Sequence, residues 1–530
     1  MKRAALILIG LIASPAATKP APPNYSLSGK TSGNCSPVNN AGPGAKIIST
    51  VYCTALDKRT KAAVAKLEKN DRRQDRSDDI RDQKIADLQK TVAMILARSD
   101  APTATAEDKQ IAVLIEKGDA PGAAKLLGSK ADRTLRAGQQ QQQKQAAISY
   151  LQQSSLLATT NASLALQAAE KAIAADPANV DALWAAGDLA ISIGDSQRAG
   201  EYYRQMRTVA LAAAQTQPSN LDRQRDLSVS YNKVGDVLRI QGDTPGALAS
   251  YRIGLAVREA LAKSDPRNAE WQHDLSVSYD NIGDVLLAQD DAPGALILYR
   301  KSLATFQRLA KSNPGIAEWQ HDLSVCYEKI GDVLFAQDDA PGALTSYRDS
   351  LAVREVLAKS NPGNALWQRN LSVSYSKVGN IQFAQGNAHE ALILYRMSIA
   401  IAERLAKSNP GIAEWQRDLS VCYEKIGNVL RAQGDAQGAL KSYRDSLAVA
   451  ERLAKADSDN AAWQRDLSVS YEQMGDMAEE VGNRSEAISW YEKSELIMAL
   501  LMVNSPDQPR LAKELAYVRR QLAELRGKAP

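Results

Sequence analysis

Trp271-Gln272-His273-Asp274-Leu275-Ser276-Val277-Ser278-Tyr279 is one copy of a phrase that returns along the second half of the chain. Its tryptophan recurs at equal steps as Trp319, Trp367, Trp415 and Trp463. Glycines keep the same 48-residue step over a longer span, at Gly187, Gly235, Gly283, Gly331, Gly379, Gly427 and Gly475. Fixed-period self-similarity of this size marks a stacked solenoid, because no single unit can bury its apolar face alone. Such chains generally bind rather than catalyse.

Within one unit the apolar residues follow a helical period. Leu275, Tyr279, Ile282, Val285 and Leu286 share one face, and the pattern breaks at Gln289-Asp290-Asp291. A second stretch begins at Ala292-Pro293, where a proline in the first turn costs little, since its missing N–H would be unpaired anyway. It carries Ala295, Leu296, Tyr299, Leu303 and Phe306 to a stop at Ser312-Asn313-Pro314-Gly315. Each unit is therefore read as a hairpin of two helices of about 20 residues, each about 30 Å long.

The set Gly283, Ala295, Tyr299 and Ser302, with Tyr279 four residues before the glycine, resembles the tetratricopeptide repeat (TPR). The bacterial-type long arrays bearing phrases such as Trp463-Gln464-Arg465-Asp466-Leu467-Ser468-Val469-Ser470-Tyr471 look most similar. The usual repeat of that family has about 34 residues. Here Pro314 and Tyr327 each fall seven residues late, so one heptad is added to each helix. Seven residues are close to two helical turns, so buried faces stay in phase. Glycine and alanine keep their spacing at Gly235/Ala247, Gly283/Ala295, Gly331/Ala343, Gly379/Ala391, Gly427/Ala439 and Gly475/Ala487. The fold expected is all-α, a superhelical solenoid of antiparallel hairpins.

Residues 218–506 form the regular array, with prolines at 218, 266, 314, 362, 410 and 506. Residues 106–217 read as less regular hairpins. They include a weak one over 111–127, a second helix over 161–177, and a hairpin over 181–215. Gln139 to Gln143 read as a solvated helix edge. Residues 507–526 read as the polar-faced helix that caps such arrays.

Residues 1–16 have the three parts of a secretory signal: Lys2-Arg3, an apolar core over 4–13, and Ser14-Pro15-Ala16. The core is too short for a comfortable membrane span. Export to a bacterial periplasm or beyond, with no membrane span after cleavage, is the expectation. In the segment 17–55, Cys35 and Cys53 bracket a Gly/Asn/Pro-rich stretch and a strand-like run over 47–52. In an oxidising compartment they could pair, with about 3 kcal/mol of stabilisation. Cys326 and Cys422 stand where other repeats have serine, and read as small packing residues.

Residues 56–99 are rich in charge and read as one helix. Val64, Leu67, Ile85, Leu88, Val92 and Ile95 share a heptad frame, interrupted by Asp71, Gln74, Asp78 and Arg81. Two readings stand: a short coiled coil over 56–98 that makes a homo-oligomer, or a helix packing its apolar end on the first hairpin.

In TPR proteins first helices line the concave groove where ligands lie, and the resemblance implies the same here. Directly after each glycine come Asp236, Asp284, Asp332, Asn380, Asn428 and Asp476. Three residues before it come Asn232, Asp280, Glu328, Ser376, Glu424 and Glu472. Seven further back stand Arg225, His273, His321, Arg369, Arg417 and Arg465. Acids predominate, so the C-terminal-carboxylate clamp of the TPR chaperone adaptors is not carried over. These stripes either bind a partner segment or form ladders between repeats.

Charge and motifs exclude several classes. Sixty-five Lys and Arg against 61 Asp and Glu give a net charge of only +4, and the few aromatics fall at core spacing, so nucleic acid is not an expected partner. Three histidines, no glycine-rich phosphate loop and no nucleophile elbow leave no catalytic, metal or cofactor site to assign. What remains is an exported scaffold for protein or peptide segments, or an envelope-associated oligomeric spacer built on the 56–98 helix. The layout of signal, coiled coil and repeats resembles periplasmic TPR proteins that assist envelope machinery.

Overall fold

Most regular repeats carry their own start and stop signals. Asn268, Asn364 and Asn460 accept the backbone N–H of Trp271, Trp367 and Trp463 at 3.0–3.3 Å and so cap the first helices. Asp243, Asp291, Asp339 and Asp435 accept the N–H of the glycine three residues on at 2.9 Å and cap the second helices. The chain leaves each first helix through a residue of positive φ, glycine at 194, 242, 386, 434 and 482, and aspartate at Asp290 and Asp338.

The computed structural model describes residues 58–68, 78–136, 140–158, 160–504 and 509–527. All described secondary structure is helical, and it falls into two compact units, Met1–Ile316 and Ala317–Pro530. The first unit holds α1 (Lys58–Glu68), α2 (Asp78–Asp100), α3 (Ala106–Lys117), α4 (Ala120–Arg136), α5 (Gln140–Ala158), α6 (Ala162–Ala175), α7 (Val180–Ser192), α8 (Ser196–Thr216), α9 (Leu221–Ile240), α10 (Thr244–Ser264), α11 (Ala269–Ala288) and α12 (Ala292–Ser312). The second holds α13 (Ala317–Ala336), α14 (Ala340–Ser360), α15 (Ala365–Ala384), α16 (Ala388–Ser408), α17 (Ala413–Ala432), α18 (Ala436–Ala456), α19 (Ala461–Glu480), α20 (Arg484–Asn504) and α21 (Pro509–Leu525).

From α9 to α20 the first helices have 20 residues and the second helices 21, and their starts keep the step of the tryptophans. Each first helix packs antiparallel on its second helix, and each second helix packs on the next first helix within its unit. The result is a stack of hairpins in each unit, as the period predicts.

The hairpin contact is tighter than a glycine–alanine pairing. A methyl group on Gly235, Gly283, Gly331, Gly379 or Gly427 would stand 2.5–2.7 Å from Cε1 of Tyr251, Tyr299, Tyr347, Tyr395 or Tyr443. The ring of the second helix therefore lies directly on the glycine of the first. Ala247, Ala295, Ala343, Ala391 and Ala439 are fully buried one turn earlier. Serines make a further seam: Ser372 with Ser398, Ser420 with Ser446 and Ser468 with Ser494 bond hydroxyl to hydroxyl at 2.7–2.9 Å.

The N-terminal part differs from the sequence reading. The stretch read as one helix over 56–99 contains two, α1 and α2, which pack on one another. Val64, Leu67, Leu88, Val92 and Ile95 are buried in one cluster with Ile111, Ile115, Leu127 and Leu156 of the following helices. A single straight helix could not place both segments there. The glutamine run lies on a helix with Gln141 and Gln143 exposed, as read, and that helix is α5, the first-helix partner of α6. At the other end α21 buries Leu511, Leu515, Val518 and Leu522 against α20. The signal reading of 1–16, the Cys35–Cys53 pair and the strand-like run lie outside the described residues. No described helix is long and apolar enough to cross a membrane.

Two stability outcomes follow from these contacts. Ala343→Leu overpacks a site with no free space and should cost roughly 1–3 kcal/mol, read by denaturant unfolding; unchanged stability would show that the hairpin is looser than described. Asp290 and Asp338 hold φ at 62° where other repeats use glycine. Replacing both with glycine should stabilise the fold by about 0.5–1 kcal/mol per site, read as a higher melting temperature.

Candidate functional site: the first-helix face

The residue after each glycine is fixed by the tyrosine that covers that glycine. Tyr251, Tyr299, Tyr347, Tyr395, Tyr443 and Tyr491 donate their hydroxyls to Asp236, Asp284, Asp332, Asn380, Asn428 and Asp476 at 2.5–2.8 Å. In the hairpin α7–α8 before the array, Tyr203 donates to Asp188 in the same way. Burial, then the neighbouring acid, pushes the phenols of Tyr251, Tyr347 and Tyr491 well above the usual range. A hydroxyl held as donor to a carboxylate stays protonated.

A lysine two residues before a glycine reaches back to the acid of the preceding repeat. Lys377 Nζ lies 2.6 Å from Asp332, 2.9 Å from Glu328 and 5.5 Å from the Tyr347 ring centre. In the first unit Lys233 lies 2.8 Å from Asp188 and 5.9 Å from the Tyr203 ring centre. Glu328 also binds Arg354, a buried guanidinium that donates to Ser324 Oγ, Ser374 Oγ and the Asn370 carbonyl. Burial works against ionisation of Glu328, but Arg354 and Lys377 outweigh it and hold its pKa below the usual range. In the first unit Arg258 occupies the matching place, donating to Ser228, Ser278 and the Asp274 carbonyl.

The basic stripe is engaged between repeats. Arg225 pairs with Asp274 at 2.6 Å and with Glu270 at 2.6 Å. Arg369 pairs with Asp418 at 2.6 Å, Arg417 with Asp466, and Arg465 with Glu514 of the cap at 2.9 Å. Burial alone would raise the Asp274 carboxyl, but His273, Arg258 and Arg225 hold it well below the usual carboxylate range. Asp280 is half-buried on α11. Glu424, pushed up chiefly by burial, turns toward Gln473 of α19. Each acid–arginine pair thus joins one first helix to the next within a unit.

Sequence reasoning missed three participants: the tyrosines as partners of the acids, the lysines, and the buried arginines. A signal for the first was present. The tyrosine stands at one constant offset from the glycine in every copy, from Gly187 and Tyr203 through to Gly475 and Tyr491. Among the described residues no cluster of His, Cys, Asp and Glu is arranged to hold a metal.

Among the described residues Glu472 makes no ion pair of the kind that holds Glu328. It accepts from Ser494 Oγ at 2.9 Å, with Glu514 and Asp476 nearby. Burial, and then those two acids, push its pKa up to about 7. Because the folded value lies above the unfolded one, its contribution to stability is full below about pH 4.5 and is lost as pH rises through about 7. Unfolding at pH 5 and pH 8 should therefore show a stability gap that Glu472→Gln narrows by about 1–2 kcal/mol after solvent screening.

Family models described as tetratricopeptide repeat match residues 275–314 and 419–459, and a second model so described matches 140–218. A comparison with curated proteins finds no match. Among solved structures the chain is similar to BtubC (BKLC) from P. vanneervenii at 16% identity, covering 50% of this chain and 92% of that one with a TM-score of 0.38. It is also similar to pilF of Pseudomonas aeruginosa, at 16% identity, 56% and 99% coverage and a TM-score of 0.30. The apo form of RapI aligns at 12% identity, over 76% of this chain and 97% of that one, with a TM-score of 0.46. The chain carries tetratricopeptide repeats in both its less regular and its regular parts.

Proposed function

We propose that this protein is an exported scaffold that binds segments of partner proteins on the first-helix face of its repeats and performs no chemistry of its own. The observation that carries this is the tetratricopeptide repeats themselves, matched over 140–218, 275–314 and 419–459. Their long form, a heptad added to each helix of the ordinary hairpin, gives each unit a wide first-helix face. Residues 1–16 support export, with a periplasmic destination in a bacterium. The oligomeric spacer is the weaker reading, because the heptad residues Val64, Leu67, Leu88, Val92 and Ile95 are buried within the chain.

Partner capture by the immobilised full chain tests the face. Phe335 is 44% exposed on α13, whereas Arg348 and Arg396 are exposed on the second helices α14 and α16. Phe335→Glu should abolish capture of partners from a periplasmic extract, and the double variant Arg348→Glu, Arg396→Glu should leave it intact. Loss of capture only in the second-helix variant would overturn the assignment of the face. Recovery of the chain solely from the cytoplasmic fraction would overturn export.

A further inference from the structure

The last hairpin departs from its neighbours on the exposed side of its second helix, where three positions change together. Ala448, Arg452 and Lys455 of α18, like Ala400, Arg404 and Lys407 of α16, give way to Leu496, Leu500 and Val503 on α20. These three are 64%, 59% and 78% exposed. Steps of four and three residues put them on one helix face, as a ridge two turns long. Single exposed apolar side chains need no account, but a ridge that replaces two charges in one helix does.

Beside the ridge lies a channel. The closing helix α21 runs antiparallel to α20, with Arg526 paired to Glu492 at 2.5 Å and Arg519 to Glu495 at 2.8 Å. Further along, Leu511 and Leu515 of α21 are buried with Met498 and Leu501 of α20. Ala512 and Ala516, seven and three residues before Arg519, share its side of α21 and so flank the C-terminal half of α20. Both are exposed, and Ala499 of α20 is half-buried on the side toward them. Small side chains on both helices leave a shallow channel between α20 and α21 that runs parallel to the ridge.

We propose that this surface pairs with a second copy of the chain about a two-fold axis. An antiparallel approach of the two α20 helices lays the ridge of each copy into the channel of the other. A two-fold contact requires such self-complementarity, and a ridge beside a channel on one face supplies it. Glu492 and Glu495 at the rim are matched within the chain, so the contact sets apolar surface against its like. Helix α21 has 17 residues, so the two helices present a face about 25 Å long and about 20 Å wide, about 500 Å². A stable complex buries about 800 Å² on each partner, so this dimer is a reversible one. It carries two first-helix faces, and the pairing does not depend on what those faces bind.

Sedimentation equilibrium of the full chain tests the pairing. The molar mass should rise from that of one chain toward that of two across about 1–100 μM. The double variant Leu500→Arg, Val503→Lys restores the residues that α18 carries at these positions, so its melting temperature should not change. It should weaken the dimer about tenfold or more. Ala516→Arg, which fills the channel from α21, should weaken it in the same way. A chain that stays monomeric at about 100 μM would overturn the inference. So would a dimer that forms equally in the wild type and both variants, since self-association then lies elsewhere, as on the 56–98 helix. Flotation with vesicles of phosphatidylethanolamine and phosphatidylglycerol covers the other occupant. Vesicle binding by a monomeric chain, lost in the double variant, would give the ridge to a lipid surface and overturn the pairing.

Discussion

The close seat of a tyrosine ring on a glycine is the contact from which the rest of each repeat follows. A methyl group on that glycine would meet the ring at 2.5–2.7 Å in the five central copies, so no other residue lets the two helices approach as they do. The contact sets the separation of the hairpin, and it also aims the phenol. Its hydroxyl arrives at the residue directly after the glycine, so packing dictates where an acid or amide must stand. A buried hydroxyl left without a partner would cost about 1–3 kcal/mol. Aspartate or asparagine at that position is therefore a structural requirement before it is anything else.

The same side chain then serves a second purpose where it is an aspartate. Asp332 accepts from Tyr347 of α14 and pairs with Lys377 of α15, so one carboxylate joins three helices. Asparagine keeps the first bond and gives up the second. Half-exposed ion pairs contribute only about 0–1 kcal/mol, so an array loses little by such a swap. The exchange at Asn380 removes a link between repeats that stability hardly needs.

Much of this was legible in the sequence because the period is strict. Hairpins, their lengths, their starts at Ala292-Pro293 and their stops at Pro314 were all readable from spacing, and a final helix, α21, follows them. The acids and amides after each glycine are legible as a recurring stripe, but their tyrosine partners are not, since a residue on the other helix of the hairpin gives no signal in a search along one face. The helices α1 and α2 merged in the reading because no glycine or proline marks the stretch between them. The glutamine run reads as a solvated helix edge and is one, but its spacing does not show that the same helix goes on to bury Tyr150 and Leu156.

The basic stripe carries the more general lesson. Arg225, Arg369, Arg417 and Arg465 recur with the repeat, and each is matched by an acid 49 residues on, so the pattern satisfies itself. Whatever recurs at every step can be neutralised by the next step, and a regular array has every reason to close such pairs. A segment from outside gains most where the recurrence fails, because only there is a buried or half-buried donor left without its internal acceptor. In a chain built from near-copies, the conspicuous repeated charges describe how the copies adhere. Positions where one copy departs from its neighbours, as Asn380 and Ser376 depart from Asp332 and Glu328, fall outside that closure.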